Sequence, residues 1–416
     1  MIMKRMLITK CELIKVFRKH NFLFMLSSIL LSCSDIEYEI ISFENPSGIG
    51  SRFPNLVSTN EGTLLMSWLA SPENKQPFSL YFSEFSKGSW SEPVSIFSGS
   101  DFFVNWADYP SIFQLNADTL ATHWLYKRGP GTFDYDVYVS ISKDRGVTWS
   151  DPTIPHRDSI STEHGFVSFF RKNKNLGIVW IDGRKIKKSE SGHGFGDMSL
   201  FSTTLGMDMN LGPETLLDPR ICECCPTDAT TIGGVDLIAY RDRSDDEIRN
   251  IQIIRSNGEY WSDPISVHDD GWMIPGCPVN GPKLAVNEQN LGIAWYTAPE
   301  GKARVNVAFS YDNGSTFTKP IRIDEGMPLG RVDLEWVDNN RIVVSWIELK
   351  DESAQLKIRT IPLGGEMEVS RLIKEIDSSR GSGYPQMIKF RKELIFAWTV
   401  PGDWKIQIVK VPILSL

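Results

Sequence analysis

The chain has 416 residues and sets 44 lysines and arginines against 52 aspartates and glutamates, a formal charge of −8 at neutral pH. Residues 1–32 hold six basic residues and one acid, so without them the formal charge becomes −13. A surface that acidic repels phosphate backbones, and DNA and RNA are excluded as partners.

At the N-terminus, Lys4, Arg5, Lys10, Lys15, Arg18 and Lys19 precede an apolar run from Phe22 to Leu31, broken by Ser27 and Ser28. A basic head followed by an apolar stretch too short to cross a bilayer comfortably reads as an export signal. Leu30-Leu31-Ser32-Cys33 resembles the lipobox of bacterial lipoproteins. That resemblance implies acylation of Cys33, a mature chain of residues 33–416, and a membrane-anchored protein of the periplasm or outer membrane, surface display included. A plain cleaved signal is the alternative. With Cys11 in the signal and Cys33 acylated, Cys222, Cys224, Cys225 and Cys277 remain in an oxidising compartment, where an even number admits disulfides.

Beyond residue 32 an apolar strand ending in an aromatic recurs seven times, at Trp68, Trp124, Trp180, Tyr240, Trp295, Trp346 and Trp398, at intervals of 51 to 60 residues. Each is preceded by a short strand and followed by an alternating one, such as Val305-Asn306-Val307-Ala308-Phe309, which reads as a half-buried antiparallel strand. No convincing helix appears. Seven four-stranded units predict an all-β, seven-bladed β-propeller. The last unit runs out one strand short, and Glu37 to Phe43 is an unassigned strand that predicts closure of the ring through the last blade.

Two turns between third and fourth strands, Ser142-Lys143-Asp144-Arg145-Gly146-Val147-Thr148-Trp149 and Ser310-Tyr311-Asp312-Asn313-Gly314-Ser315-Thr316-Phe317, match the Asp-box. A degenerate copy runs from Ser256 to Trp261. Aspartate accepts bonds from turn amides, and the aromatic is expected to tuck under the next blade, so Asp144 and Asp312 read as structural. The pattern resembles the sialidase-like, BNR-repeat propellers, which act on acidic glycans as exo-sialidase-type glycoside hydrolases. The resemblance implies that Arg52, Arg331 and Arg380 hold a substrate carboxylate, Tyr384 is the nucleophile assisted by Glu335, and Asp108 is the acid/base. The sequence departs from the family in two respects. Residues 52–100 contain no aspartate, so Asp108 comes a blade later than the family's acid. Known sialidases have six blades, which makes a six-bladed ring the alternative architecture.

Turns leading into the first strands share one face of a propeller with turns joining second to third strands. That face gathers Arg52, Asp108, Glu163, His164, Arg220, the run Cys222-Glu223-Cys224-Cys225, Arg241, Cys277, Arg331, Arg380 and Tyr384. Arg220 and Arg241 join the candidate substrate-binding arginines. Cys277 opens the blade after the cysteine triplet, and three readings stand for these sulfurs. They form disulfides, or they bind Cu or Zn with His164 or Asp228 completing the shell, or they are free redox thiols. The function read from the sequence is an exported sialidase-like propeller acting on or binding an acidic glycan or other anionic ligand. The alternative is a non-hydrolytic propeller whose cysteine-rich mouth handles metal.

Overall fold

The seven aromatics of the repeat are all buried, none more than 2 % exposed. Burying a side chain of that size stabilises the fold by about 1.5–3 kcal/mol, so each unit brings its own anchor into the space between two sheets. The computed structural model describes residues 39–187 and 196–416, apart from Glu259, Gln289 and Glu352. The export signal and Cys33 lie outside the described residues.

The strands form seven antiparallel sheets, and the architecture is a seven-bladed β-propeller, not the six-bladed alternative. Blades 1 to 6 begin with the inner strands Ser51–Ser58, Ser111–Gln114, His164–Lys172, Asp228–Ile232, Lys283–Val286 and Pro328–Trp336, and blade 7 with Gln386–Phe390. Blade 2 has three strands, and the place of its fourth is taken by a single bridge between Val139 and Thr153. Blade 7 takes its outer strand from the N-terminal side: Ile41 pairs with Lys410 and Ser42 with Val409. Among the described residues the only helical turns are three-residue 3-10 turns at Pro299–Gly301, Arg380–Ser382 and Ile413–Ser415. No helix among them is long and apolar enough to cross a membrane.

Two expectations change. Strands read as half-buried are buried on both faces, as in Arg304–Ser310, where only Arg304 is not fully buried. A blade packs on a neighbour at each face, so alternation in sequence does not become alternation in exposure. The Asp-box aromatics pack on the preceding blade rather than the next. Trp149 meets Phe82 of blade 1 edge to face, and Phe317 joins a core holding Ile232 and Leu237 of blade 4. The turns themselves are closed internally. Ser142 Oγ donates to Asp144 Oδ1 at 2.8 Å, and Asp144 accepts from the Thr148 amide at 2.8 Å and the Thr148 hydroxyl at 2.6 Å. Ser310, Asp312 and Thr316 repeat the pattern. The Thr148 hydroxyl is the main cause that holds the Asp144 carboxyl down at about 2, as expected for a fold-forming turn.

Candidate functional site

Three inner strands reach the mouth through the same irregularity. In blades 1, 3 and 6 the register shifts between Arg52 and Asn55, Gly165 and Ser168, and Gly330 and Asp333. At each bulge one residue is left-handed: Phe53 at φ 53°, Phe166 at φ 52° and Arg331 at φ 52°. The amide this frees is capped by a side chain of the preceding blade. Phe53 donates to Thr399 Oγ1 at 2.8 Å, Phe166 to Asp108 Oδ1 at 2.8 Å, and Arg331 to Asn280 Oδ1 at 2.7 Å. A Cβ at Gly165 would collide with the Asp108 carboxylate and one at Gly330 with the Asn280 amide, so the two joints share one tight design.

On one side of the mouth the second oxygen of Asp108 accepts from the Tyr135 hydroxyl at 3.4 Å, and that hydroxyl also lies 2.9 Å from Glu163 Oε1. Burial raises the Asp108 carboxyl well above its usual range and outweighs the Phe166 amide, which pulls the other way. Burial likewise lifts half-buried Glu163 to about 7, against the lowering by the Tyr135 bond. Burial thus raises the proton affinity of both carboxyls, the direction a proton donor needs. Trp106, two residues before Asp108, stacks on Tyr384 with ring centroids 5.8 Å apart. Beneath lies a channel cavity of about 210 Å³ lined in part by Asp108, Tyr109, Asp228, Lys283 and Tyr384.

On the other side stand the thiols. Cys222 Sγ is 3.2 Å from Cys225 Sγ and 4.0 Å from Cys224 Sγ, and Cys277 reaches Cys224 from the next blade. All four cysteines are free. Arg249, 2 % exposed, places Nη1 3.1 Å from Cys222 Sγ and 2.6 Å from Glu223 Oε2, while the Asn280 amide points at Cys225 Sγ at 3.4 Å. Burial raises the Cys222 thiol, but bonds from Cys224 and Cys225 and the charge of Arg249 carry it well below its ordinary value. Bonding with Cys222 and Cys225 raises Cys224, and burial raises Cys225.

Of the three arginines expected to hold one carboxylate, Arg331 and Arg380 meet over the Trp106 ring that stacks on Tyr384, Arg331 at 4.7 Å from its centroid, and Arg52 does not join them. Arg52 sits over the Trp404 ring at 3.8 Å and bonds Asn74, contacts it shares with neither Arg331 nor Arg380. Its side chain leaves the strand immediately before the bulged residue, where the period of two is broken. Arg331 is engaged by the Ser379 and Gly383 carbonyls at 3.1 and 3.0 Å and by Ser382 Oγ at 2.8 Å. Arg241 donates to the carbonyls of Asn280, Arg249 and Tyr296, and Arg220 is held by Asp197, Asp245 and Glu247. Arg380 is the exposed member of the five, 5.9 Å above the Trp106 ring.

The Tyr384 hydroxyl donates to the Val279 carbonyl at 2.6 Å. Burial dominates its raised pKa, and the ionisable groups weighing most on it are Cys225, Tyr109, Arg331 and Cys224, none a carboxylate. Glu335, expected beside it, lies near the end of the inner strand of blade 6, lifted to about 8 by burial and Asp333. His164, expected among the cysteines, instead bonds Asp158 at 3.1 Å and stacks on His156 at 3.7 Å with the rings within 2° of parallel. Imidazole lone pairs lie in the ring plane, so no single ion can serve two parallel stacked rings. Together with Asp136 and Asp158 they form a buried cluster of histidine–aspartate contacts between 3.1 and 3.7 Å. Asp228 caps the Leu284 amide at 2.8 Å. No motif marks Tyr135, which lies on a third strand and meets Glu163 only through the packing of blades 2 and 3.

No family model matches the sequence, and no curated relative does. Solved structures do. The polysaccharide lyase Uly1 superposes with a TM-score of 0.54 at 10 % identity, covering 92 % of this chain and 94 % of its own. The α-L-arabinofuranosidase Arb93A of Fusarium graminearum gives 0.48 at 14 % identity over 91 % and 98 %, and the NanB sialidase of Streptococcus pneumoniae 0.44 at 13 % over 90 % and 71 %. At such identities the likeness is one of fold.

Proposed function

We propose that this is an exported, lipid-anchored propeller that binds an acidic glycan at its channel mouth and hydrolyses it, the Asp108–Tyr135–Glu163 cluster protonating the leaving oxygen as water adds to the anomeric carbon. The observation that carries this reading is the Tyr135 hydroxyl held between two carboxyls whose proton affinity burial raises. Half-buried Glu163 is the group that meets the ligand, Tyr135 relays to Asp108, and exposed Arg380 supplies a fork for a carboxylate or sulfate. That propellers of this shape include a sialidase and a polysaccharide lyase supports looking among sialosides and uronate-containing polymers.

The test is turnover on a panel of both, read as reducing ends for hydrolysis and as ultraviolet absorbance of unsaturated uronate for elimination. Glu163→Gln is expected to lower turnover by at least about 100-fold, the scale of one general acid, with an unchanged melting midpoint. Folded wild-type protein that neither binds nor cleaves any acidic glycan ends the proposal.

A further inference from the structure

The four sulfurs are the one reactive group at the mouth that the acid chemistry leaves unused. Small apolar packing does not account for them. Glu223 stands between two of them, a buried guanidinium touches Cys222, and the fourth sulfur arrives from another blade. No crosslink is formed: all four are thiols, and Cys222 and Cys225, which could pair without the strained ring that adjacent cysteines require, stand 3.2 Å apart, so the reduced cluster is free to take a ligand.

The spacing suits a shared ion. Sulfurs held at about 2.3 Å from one ion at tetrahedral angles stand about 3.8 Å apart, and the observed separations of 3.2 and 4.0 Å bracket that distance. The cluster is also held in place before any ion arrives. The Cys222 amide donates to the Arg241 carbonyl at 3.0 Å, Cys225 receives the Asn280 amide, and Gly281 lies hard against the Pro226 carbonyl. Arg249 offsets the negative charge that several thiolates bring to a buried place.

We infer that Cys222, Cys224 and Cys225, with Cys277 contributed by the next blade, bind a thiophilic metal cation, Zn(II) or Cu(I). Cys222 and Cys225 are buried, Cys224 is half-buried and Cys277 is exposed, so Cys277 is the ligand that exchanges with an incoming group at the mouth. This site stands on the thiol side alone and does not depend on the glycan reading.

The test offers the anaerobically reduced, full-length mature protein either Zn(II) or Cu(I). Bound metal is counted by mass spectrometry, thiol reactivity is followed, and Co(II) is added separately to read sulfur-to-metal charge-transfer bands. One equivalent of Zn(II) or Cu(I), protection of the thiols and thiolate bands with Co(II) are expected, and whichever ion binds more tightly names the occupant. Cys222→Ser is expected to weaken uptake at least 100-fold and Cys277→Ser less. Should Cys222→Ser fail to fold, the Co(II) spectrum of the intact protein still decides. Reduced wild-type protein that takes up neither ion, with its thiols equally reactive before and after metal addition, overturns the inference.

Discussion

The joint between blades 2 and 3 and the joint between blades 5 and 6 are the same piece of backbone with different chemistry. In each, a side chain two residues before a proline reaches across to cap a bulged amide: Asp108 caps Phe166 and Asn280 caps Arg331. The amide of Asn280 goes on to Cys225 and its side-chain nitrogen to the Pro278 and Leu329 carbonyls at 3.2 Å. The free oxygen of Asp108 faces Tyr135 and Glu163 instead. Half of what Asp108 does is therefore a fold requirement that a neutral amide meets elsewhere. The other half is a carboxyl the cap does not need, and that surplus is what marks the blade 2–3 joint as a chemical site.

The largest loss is expected at the amide joint. Asn280→Ala leaves the Arg331 amide and two carbonyls without partners and is expected to cost about 3 kcal/mol in denaturant unfolding, while also loosening the loop that carries Cys277. Asp108→Ala strands one amide and is expected to cost about 2 kcal/mol by the same measurement.

A pH series sharpens the contrast. Glu163 sits at about 7 in the folded chain against an ordinary 4.5, and Glu335 at about 8. Both bind protons more tightly folded than unfolded. Their contribution is therefore fully present below about 4.5, and it is lost as the pH rises towards 7 for Glu163 and 8 for Glu335. Glu163→Gln is expected to flatten the decline between pH 4.5 and 7 and leave the part due to Glu335, measured as melting midpoint against pH. Unchanged curves would place Glu163 in water. The smallest effect belongs to Asp312→Ala, on the far face, whose exposed turn is expected to lower the melting midpoint less than Asp108→Ala does and to leave metal uptake and glycan turnover unaltered.

Much of this was legible in the sequence because it is local or periodic. Seven spaced aromatics gave the blades, an orphan strand near Ile41 gave the closure, and the position of Cys277 one blade after the triplet brought it to Cys224. What was not legible depends on single-residue geometry. A sequence can put Arg331 at the mouth without revealing that three oxygens of the Ser379–Gly383 strap already hold it. A bulge adds one residue and redirects side chains, so Arg52 turns toward Trp404 and away from the other two arginines. Tyr135 belongs to no motif, and it meets Glu163 only because one blade packs on the next.

Asp108→Asn gives the most direct measurement, because asparagine already fills the matching slot at blade 5. The variant should melt within about a degree of wild type, the cap being kept, yet lose glycan turnover because the proton-bearing carboxyl is gone. Full turnover in a variant that melts normally would reduce Asp108 to a cap and contradict the acid site.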